Sequence, residues 1–421
     1  MLNSDELALI EQNPYKADFP LLANNPELVF LDSAATAQRP ACVLDAQRKF
    51  YETMNANPLR GLYRLSVDAT RSIAEARAHV ARFIGAVDKQ GTPQGNEIVF
   101  TRNASESLNL VAHSLGHLLL RPGDEVVISI MEHHSNLIPW QQICRETGAK
   151  LVFLRLDDDF RITPAEIKAK IGPRTKIVSV TQVSNVLGIE NDIPAIAARA
   201  HAMGAKMVVD GAQSVPHIAV DVRKLGCDLL AFSAHKMCGP MGIGVLWGKA
   251  ELLDVMPPFL TGGEMIDSVS ETNAVWAPVP QKFEAGTQDA AGSYALDAAL
   301  SYLEEKDWNT LETRERLLVR YLTDQLAALD FIDIIGPTDG RRHLGSVAFN
   351  VGDVHPHDVA SILDMQNICI RAGHHCAQPL LTELGVSSTS RASIAFYNDK
   401  TDIDRLVEGL KQVWQVFHGN R

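Results

Sequence analysis

The sequence lacks closely spaced cysteine pairs. Its six cysteines are scattered and form no C-x-x-C motif: Cys42, Cys144, Cys227, Cys238, Cys369 and Cys376. This spacing excludes a disulfide framework and a zinc ribbon, so no metal site is predicted. We expect most of these cysteines to pack as small hydrophobic side chains, with Cys376 as the exception.

The chain also lacks long apolar runs and an excess of basic residues. No run approaches the roughly 20 apolar residues of a membrane span, and the N-terminus has no basic region followed by an apolar one. Aspartate and glutamate outnumber lysine and arginine by 51 to 39, which gives a formal net charge of −12. This balance argues against nucleic acid and anionic membrane as partners. We therefore expect a cytoplasmic protein.

The 421 residues do contain a regular alternation of short apolar segments with helical patterns. This alternation is typical of an α/β fold, with a mostly parallel sheet covered by helices. Helices are also predicted from about Asp68 to Ile84 and from Asp402 to Val416. The predicted domains are an N-terminal segment packing on the small domain, 1–25; a large α/β domain, 26–290; and a linking helix with a small C-terminal α+β domain, 291–421.

A lysine stands at the end of one of these apolar segments. Leu229–Phe232 leads into Ser233-Ala234-His235-Lys236, and a Gly-Pro turn follows. A loop lysine at a strand end is the ordinary interpretation, because lysines prefer solvent. However, Asp210 ends the preceding strand, 26 positions earlier, which is about one crossover of a parallel sheet. Both side chains would then lie at the edge where open α/β sheets bind ligands.

Pyridoxal 5′-phosphate requires such a pair, a lysine for a Schiff base and a carboxylate for the pyridine nitrogen. In the identity and spacing of Asp210 and Lys236, the chain resembles the class V aminotransferase superfamily of fold type I pyridoxal-phosphate enzymes. The resemblance implies a large domain with a mostly parallel, seven-stranded sheet, followed by the smaller C-terminal domain.

A phosphate site is predicted at Asn103-Ala104-Ser105-Glu106, since Ser105 stands where a helix cap would and an apolar helix follows. A plain helix cap is the alternative interpretation. By resemblance, Ser233 and His235 complete the phosphate site together with Ala104 and Ser105. Thr287 would reach the phosphate of the neighbouring subunit, which implies a homodimer.

The resemblance also assigns residues around the cofactor ring. His133 would stack on the pyridine and assist proton transfer, whereas His134 is expected to be a hydrogen-bonded loop residue. Asn185 would contact the substrate or the ring oxygen, and Gln213 would bind the same oxygen.

A second motif lies near the C-terminus, in Arg371-Ala372-Gly373-His374-His375-Cys376. Adjacent residues rarely ligate one metal ion, so a metal site there is disfavoured, and a buried inert cysteine is the other alternative. Together with Arg391, the segment resembles the active-site loop of SUF-type (group II) cysteine desulfurases. That resemblance extends from Leu31 to Asn398 and departs from the pattern at Leu59 and Cys238.

The implied reaction converts L-cysteine to L-alanine and leaves a persulfide on Cys376. Lys236 and His133 would be catalytic, Arg391 would bind the substrate carboxylate, and Arg371 would assist binding. Either His375 or Arg371 could favour the Cys376 thiolate. The sulfur would pass to a SUF-type acceptor protein for iron–sulfur cluster assembly. Selenocysteine lyase, cysteine sulfinate desulfinase and a non-catalytic sulfur-trafficking scaffold stay open as alternatives.

Overall fold

The computed structural model describes residues 2–419, which form alternating strands and helices. The strands are β1 (Val29–Phe30), β2 (Ile98–Thr101), β3 (Glu125–Ser129), β4 (Lys150–Leu154), β5 (Thr175–Thr181), β6 (Lys206–Asp210), β7 (Leu229–Ser233), β8 (Gly244–Gly248), β9 (Ile266–Val269), β10 (Ala274–Trp276), β11 (Ile332–Ile335), β12 (Ser346–Val351), β13 (Ile368–Cys369), β14 (Arg371–Gly373) and β15 (Thr389–Ser393). The α-helices are α1 (Ser4–Glu11), α2 (Pro20–Ala23), α3 (Ala41–Thr53), α4 (Arg64–Phe83), α5 (Ala104–Leu119), α6 (Ile138–Thr147), α7 (Pro164–Lys170), α8 (Ile193–Ala202), α9 (Val222–Leu225), α10 (Ala250–Val255), α11 (Ala290–Glu305), α12 (Trp308–Ala327), α13 (Pro356–Asp364), α14 (Gln378–Glu383) and α15 (Lys400–His418).

The central element is a seven-stranded sheet with the order β2-β8-β7-β6-β5-β3-β4. The strands β4, β3, β5, β6 and β7 run parallel to one another, whereas β8 is antiparallel to both β7 and β2. The predicted α/β class with a mostly parallel sheet is therefore confirmed.

Successive residues of the central strands pack on opposite faces of this sheet. In β6, Met207 and Val209 enter one hydrophobic cluster, and Val208 enters the cluster on the other face. In β7, Leu230 and Phe232 enter the first of these clusters, and Leu229 and Ala231 enter the second. Because both faces are covered, these strands read as continuous apolar runs rather than as alternating ones.

A second, antiparallel sheet lies in the C-terminal part, with the order β11-β12-β15-β14. Beside it, β1 pairs in parallel with β13, and Asp32 forms a bridge to Ser393 of β15. The β1 strand thus pairs with the C-terminal part, although it precedes the large sheet in sequence. This arrangement brings Asp32 close to the end of β15.

The helix bounds differ modestly from those predicted. Helix α4 begins at Arg64, four residues before the predicted Asp68, and α15 extends beyond both predicted ends, where an Asp399–Asp402 capping box starts it. The apolar face of α15 packs into the C-terminal core, which also contains Ile10 of α1. The domain boundaries stay predictions. Across residues 2–419, every helix is too short or too polar to cross a membrane.

Candidate active site

A cavity of about 750 Å³ opens at the carboxyl ends of the parallel strands. Each of β3, β5, β6 and β7 is followed directly by residues that line it, as expected for an open α/β sheet. The predicted site residues that line this cavity are Ala104, Ser105, His133, Asn185, Asp210, Gln213, Ser233, His235, Lys236, Arg371, Cys376 and Arg391. Thr287 does not line it; this residue is exposed and borders a separate groove with Arg102 and Gly242.

Asp210 and Lys236 are brought together because β6 and β7 are neighbours. Asp210 pairs with Ala231 of β7, and Lys236 follows in a 3₁₀ turn. Asp210 is 4% exposed, and burial raises its pKa, although the Ala212 N–H that donates to it opposes this shift. Lys236 keeps some surface open to the cavity but is enclosed by protein, and this burial lowers its pKa to about 8. A substantial fraction of the Lys236 amine is therefore neutral near physiological pH.

The predicted phosphate turn lies at the N-terminus of α5, but its cap differs from the prediction. Asn103, not Ser105, is the N-cap, since its Oδ1 accepts a hydrogen bond from the Glu106 N–H at 3.0 Å. Ser105 is the second residue of the helix. The sequence could not separate the two, because both residue types cap helices well.

The same helix end is tied to the lysine strand. The Ala104 N–H donates to Ser233 Oγ at 2.8 Å. A Cβ at Gly244 would lie 2.4 Å from the Asn103 backbone, so β8 can pass this close only with glycine at that position. The positive end of α5 and the hydroxyls of Ser105 and Ser233 therefore meet at one edge of the cavity, which suits an anionic phosphate.

His133 follows β3 and faces the cavity as a neutral imidazole. Burial, with Lys236 as the next cause, lowers its pKa to about 3. The Ser135 N–H donates to its Nδ1 at 3.1 Å, so the ring proton is placed on Nε2. Ser135 was not among the predicted residues, although it lines the cavity and its Oγ lies 2.6 Å from Ser105 Oγ. Its hydroxyl, two positions after His133, was the only signal in the sequence.

The amides of Gln213 and Asn185 bind backbone carbonyls at the cavity wall. Gln213 Nε2 donates to the Ala34 oxygen and Asn185 Nδ2 to the His375 oxygen, each at 2.8 Å. Their predicted contacts with a ring oxygen or substrate stay predictions. The ring of His235 lies 3.3 Å from Thr36 Oγ1, and burial lowers its pKa to about 4, so it too is neutral.

Cys376 lies on an exposed loop between β14 and α14. His375 and Cys376 both adopt left-handed backbone conformations, with φ of 50° and 55°. Residues other than glycine rarely adopt such conformations. Two contacts hold this loop against the large sheet: the His134 N–H donates to the Cys376 oxygen at 2.7 Å, and Asn185 holds the His375 oxygen. The backbone of Cys376 is thus held at the edge of the cavity that contains Lys236.

His375 is neutral and provides no positive charge to Cys376, and its predicted role in favouring the thiolate stays a prediction. Its Nε2 lies 2.8 Å from Thr389 Oγ1, and burial lowers its pKa to about 3, so the ring is neutral. Arg371, Arg391 and Lys236 do carry positive charge close enough to interact with Cys376.

Arg391 is buried and only partly hydrogen-bonded. Its Nη1 donates to the Asn185 oxygen at 3.0 Å and its Nη2 to Asp32 Oδ1 at 3.2 Å, while its buried Nε has no partner among residues 2–419. Burial lowers its pKa to about 10, so it stays charged at neutral pH. An unsatisfied guanidinium in a cavity is suited to a substrate carboxylate.

The two departures from the desulfurase pattern both lie in left-handed conformations. Leu59 has φ of 78°, and its N–H donates to Thr70 Oγ1 at 2.7 Å. Cys238 has φ of 62° and is buried, and burial raises its pKa so that it stays a neutral thiol. Cys238 therefore packs rather than reacts.

The residues present fit pyridoxal 5′-phosphate at both ends. A buried carboxylate and a lysine of lowered pKa lie on adjacent strands, and an anion-binding helix end is joined to the lysine strand by the Ala104–Ser233 hydrogen bond. A neutral ring, His133, lies between them in the chain and lines the same cavity. The cofactor's aldehyde, pyridine nitrogen and phosphate each have a suitable partner here.

Comparison with known proteins agrees with this geometry. The family model "Aminotransferase class-V" matches residues 29–406. The chain belongs to the class V aminotransferase family. Enzymes of this family act with pyridoxal 5′-phosphate, so the predicted cofactor and fold type are confirmed at the level of the family.

Relatives of this chain carry a narrower name than the family does. It is 47% identical over 402 residues to a probable cysteine desulfurase of Halalkalibacterium halodurans, covering 95% of this chain and 97% of the relative. It is 46% identical to a cysteine desulfurase of Dickeya dadantii, covering 95% and 96%. The apo structure of a cysteine desulfurase from Thermococcus onnurineus NA1 superposes with a TM-score of 0.89 at 40% identity, covering 96% and 98%.

Proposed function

We propose that this protein is a cysteine desulfurase that converts L-cysteine to L-alanine and holds the released sulfur as a persulfide on Cys376. The observation that carries the proposal is the position of Cys376, at the edge of the cavity that contains Lys236 and Asp210. A transaminase has no use for a thiol there, whereas removal of sulfur from a substrate requires a nucleophile to accept it.

The chain's own residues suffice to bind and orient the amino acid. Arg391 binds the α-carboxylate through the donor capacity that Asn185 and Asp32 leave unused, and this fixes Cα near Lys236. Bound pyridoxal phosphate supplies an electron sink that stabilises negative charge at Cα. The Lys236 amine, of pKa about 8, then removes and returns the Cα proton, and neutral His133 offers a proton at Nε2.

Sulfur transfer follows as a displacement at the substrate sulfur. The Cys376 thiolate attacks that sulfur, the S–S bond forms, and the substrate C–S bond breaks with its electron pair on the carbon side. A proton replaces the sulfur on Cβ, so cysteine and one protein thiol yield alanine and one protein persulfide. No external oxidant or reductant is required.

The finer assignments rest on the SUF-type resemblance. The protein would act in the cytoplasm as a homodimer and pass its sulfur to a SUF-type acceptor protein for iron–sulfur cluster assembly. All six cysteines are free, which suits a reducing compartment. Thr287 is exposed and outside the cavity of its own chain, which leaves it available to a partner subunit.

The test is incubation of the cofactor-loaded protein with L-cysteine, with mass spectrometry of the peptide that contains Cys376. We expect alanine release and the addition of one sulfur atom to Cys376. L-selenocysteine and L-cysteine sulfinate are assayed in parallel. Faster turnover of either, without sulfur on Cys376, would replace the proposed activity with that of a selenocysteine lyase or sulfinate desulfinase.

A further inference from the structure

Two arginines that line the cavity lie side by side on adjacent strands of the small sheet. Arg371 of β14 and Arg391 of β15 are direct register partners in an antiparallel pair. Side chains directly opposite in such a pair lie close together, and like charges there are destabilising. The pair therefore requires a compensating negative charge.

Asp32 supplies that charge from outside the sheet. Its Oδ2 accepts from Arg371 Nη2 at 2.7 Å and from Arg371 Nε at 3.1 Å, and its Oδ1 accepts from Arg371 Nε at 3.1 Å and from Arg391 Nη2 at 3.2 Å. The shorter and more numerous contacts go to Arg371. The bridge from Asp32 to Ser393 fixes the backbone of this carboxylate beside β15.

The three groups leave one uncompensated positive charge, and its location is defined. Asp32 binds Arg371 in a bidentate manner and touches Arg391 at a single nitrogen. The Arg391 side chain lines the cavity and keeps an unpaired Nε among residues 2–419, whereas the guanidinium of Arg371 is occupied by Asp32. The positive charge available to a ligand is therefore that of Arg391, which is sufficient for one carboxylate.

We propose that Asp32 is a positioning residue that sets substrate specificity, because it occupies Arg371 and so weakens the binding of amino acids that carry a second anionic group. Arg371 borders the same cavity as Cys376. Once released from Asp32, it would offer a second guanidinium to an anionic side chain. Asp32 thus disfavours cysteine sulfinate relative to cysteine. The inference rests on the proposed function only in taking an α-amino acid as the substrate.

The experiment measures ligand binding rather than turnover. The cofactor-loaded parent and the Asp32→Asn variant are titrated with L-alanine and with L-aspartate, and the absorbance of the bound cofactor is followed. Asparagine keeps the shape of aspartate but lacks its charge. We expect the ratio of the aspartate to the alanine dissociation constant to fall about tenfold in Asp32→Asn, as removal of one charge near a partly exposed ion pair predicts.

The double variant Asp32→Asn/Arg371→Gln identifies the group responsible. Its aspartate-to-alanine ratio should return to the parent value, because the released guanidinium is gone. The single variant Arg371→Gln should bind alanine more weakly than the parent. Asp32 then pairs with Arg391 alone and neutralises the charge that would bind the alanine carboxylate. Alanine binding by Arg371→Gln tests the proposal even if the Asp32→Asn variant does not fold.

Three results would overturn the proposal: an unchanged ratio in Asp32→Asn, a shift that persists in the double variant, or alanine binding by Arg371→Gln as tight as in the parent. Failure of the proposed desulfurase activity would show differently. The parent would then bind alanine with a spectral change yet release no alanine from cysteine, and the binding ratios would still decide the role of Asp32.

Discussion

The His134 amide donates a hydrogen bond of 2.7 Å to the carbonyl oxygen of Cys376. This contact joins the residues after β3 of the large sheet to the loop after β14 of the small one. Both ends of the loop are anchored in regular structure, at Gly373 of β14 and Gln378 of α14. The backbone that carries the thiol is therefore anchored on both sides, and the loop that could carry it away from the cavity is short.

This restraint predicts slow release of sulfur. Because each residue spans at most about 3.5 Å, a short loop anchored at both ends does not reach far enough to carry a persulfide to a distant protein. We expect the first turnover of L-cysteine to be fast and later turnovers to be limited by persulfide removal. A small reducing thiol or a SUF-type acceptor should raise the steady-state rate without changing the first turnover.

Rapid-quench measurement of alanine checks this expectation. A burst of about one alanine per site, followed by a slower phase that responds to added thiol, would agree with it. Equal rates in the first and later turnovers without any acceptor would show that persulfide removal is not limiting.

Replacement of Cys376 by alanine or serine should separate the two halves of the reaction. Lys236 chemistry and thiol attack are different steps, so the variant should bind cofactor and exchange the Cα proton of cysteine with solvent deuterium, but form no persulfide. Activity on selenocysteine should persist, since the C–Se bond is weaker. Cys42→Ala, the other exposed cysteine, is the matched control and should keep parent activity.

Substitution of Lys236 by alanine should remove the covalent link to the cofactor and lower turnover by at least about 10²–10⁴-fold, the usual effect of losing a positioned acid or base. Borohydride reduction of the loaded parent, followed by peptide mapping, locates the link directly. Lys224, which is exposed and ion-paired to Asp221, provides the control substitution. A link found on Lys224 or Lys249 would refute the assignment.

The pH dependence of cofactor loading follows from the lowered pKa of Lys236. Its amine is neutral above a pKa of about 8, instead of 10.5, so the rate at which cofactor-free protein takes up pyridoxal phosphate should rise through pH 8 and then level off. An ordinary surface lysine would keep gaining reactivity beyond pH 10. Stopped-flow absorbance from pH 6 to 10 measures the midpoint.

The same shift affects stability. Between pH 8 and 10.5 the unfolded chain binds a proton at this lysine that the folded chain does not. This group therefore increases the free energy of unfolding of the cofactor-free protein as the pH rises through that window.

Local patterns explain why the central part of the fold was predictable. The apolar runs of β6 and β7 are buried on both faces, and the 26 positions from Asp210 to Lys236 match one crossover between adjacent parallel strands. Short-range patterns also predicted the approximate bounds of α4 and α15. The N-cap of α5 was misassigned because Asn103 and Ser105 are both good caps, and only the side-chain geometry decides between them.

The rest of the site depends on contacts between residues far apart in the chain. Asp32 forms hydrogen bonds with Arg371 and Arg391, which lie 339 and 359 positions later in the chain. No local sequence pattern predicts such a contact. Similarly, nothing in the sequence near His375 shows that its ring would be buried against Thr389 and remain neutral. Burial and long-range pairing, rather than residue type, set the charge of these groups.

The left-handed backbone at Cys376 places the role proposed for its thiol in opposition to stability. Glycine adopts this conformation without strain, and asparagine adopts it more readily than most residues. Both lack sulfur. Selection for a stable fold alone would favour glycine at position 376 over cysteine. In a gene copy that is no longer selected for sulfur transfer, we therefore expect Cys376 to be replaced while the loop keeps its conformation. A descendant with glycine there would keep the architecture and lose the proposed desulfurase activity.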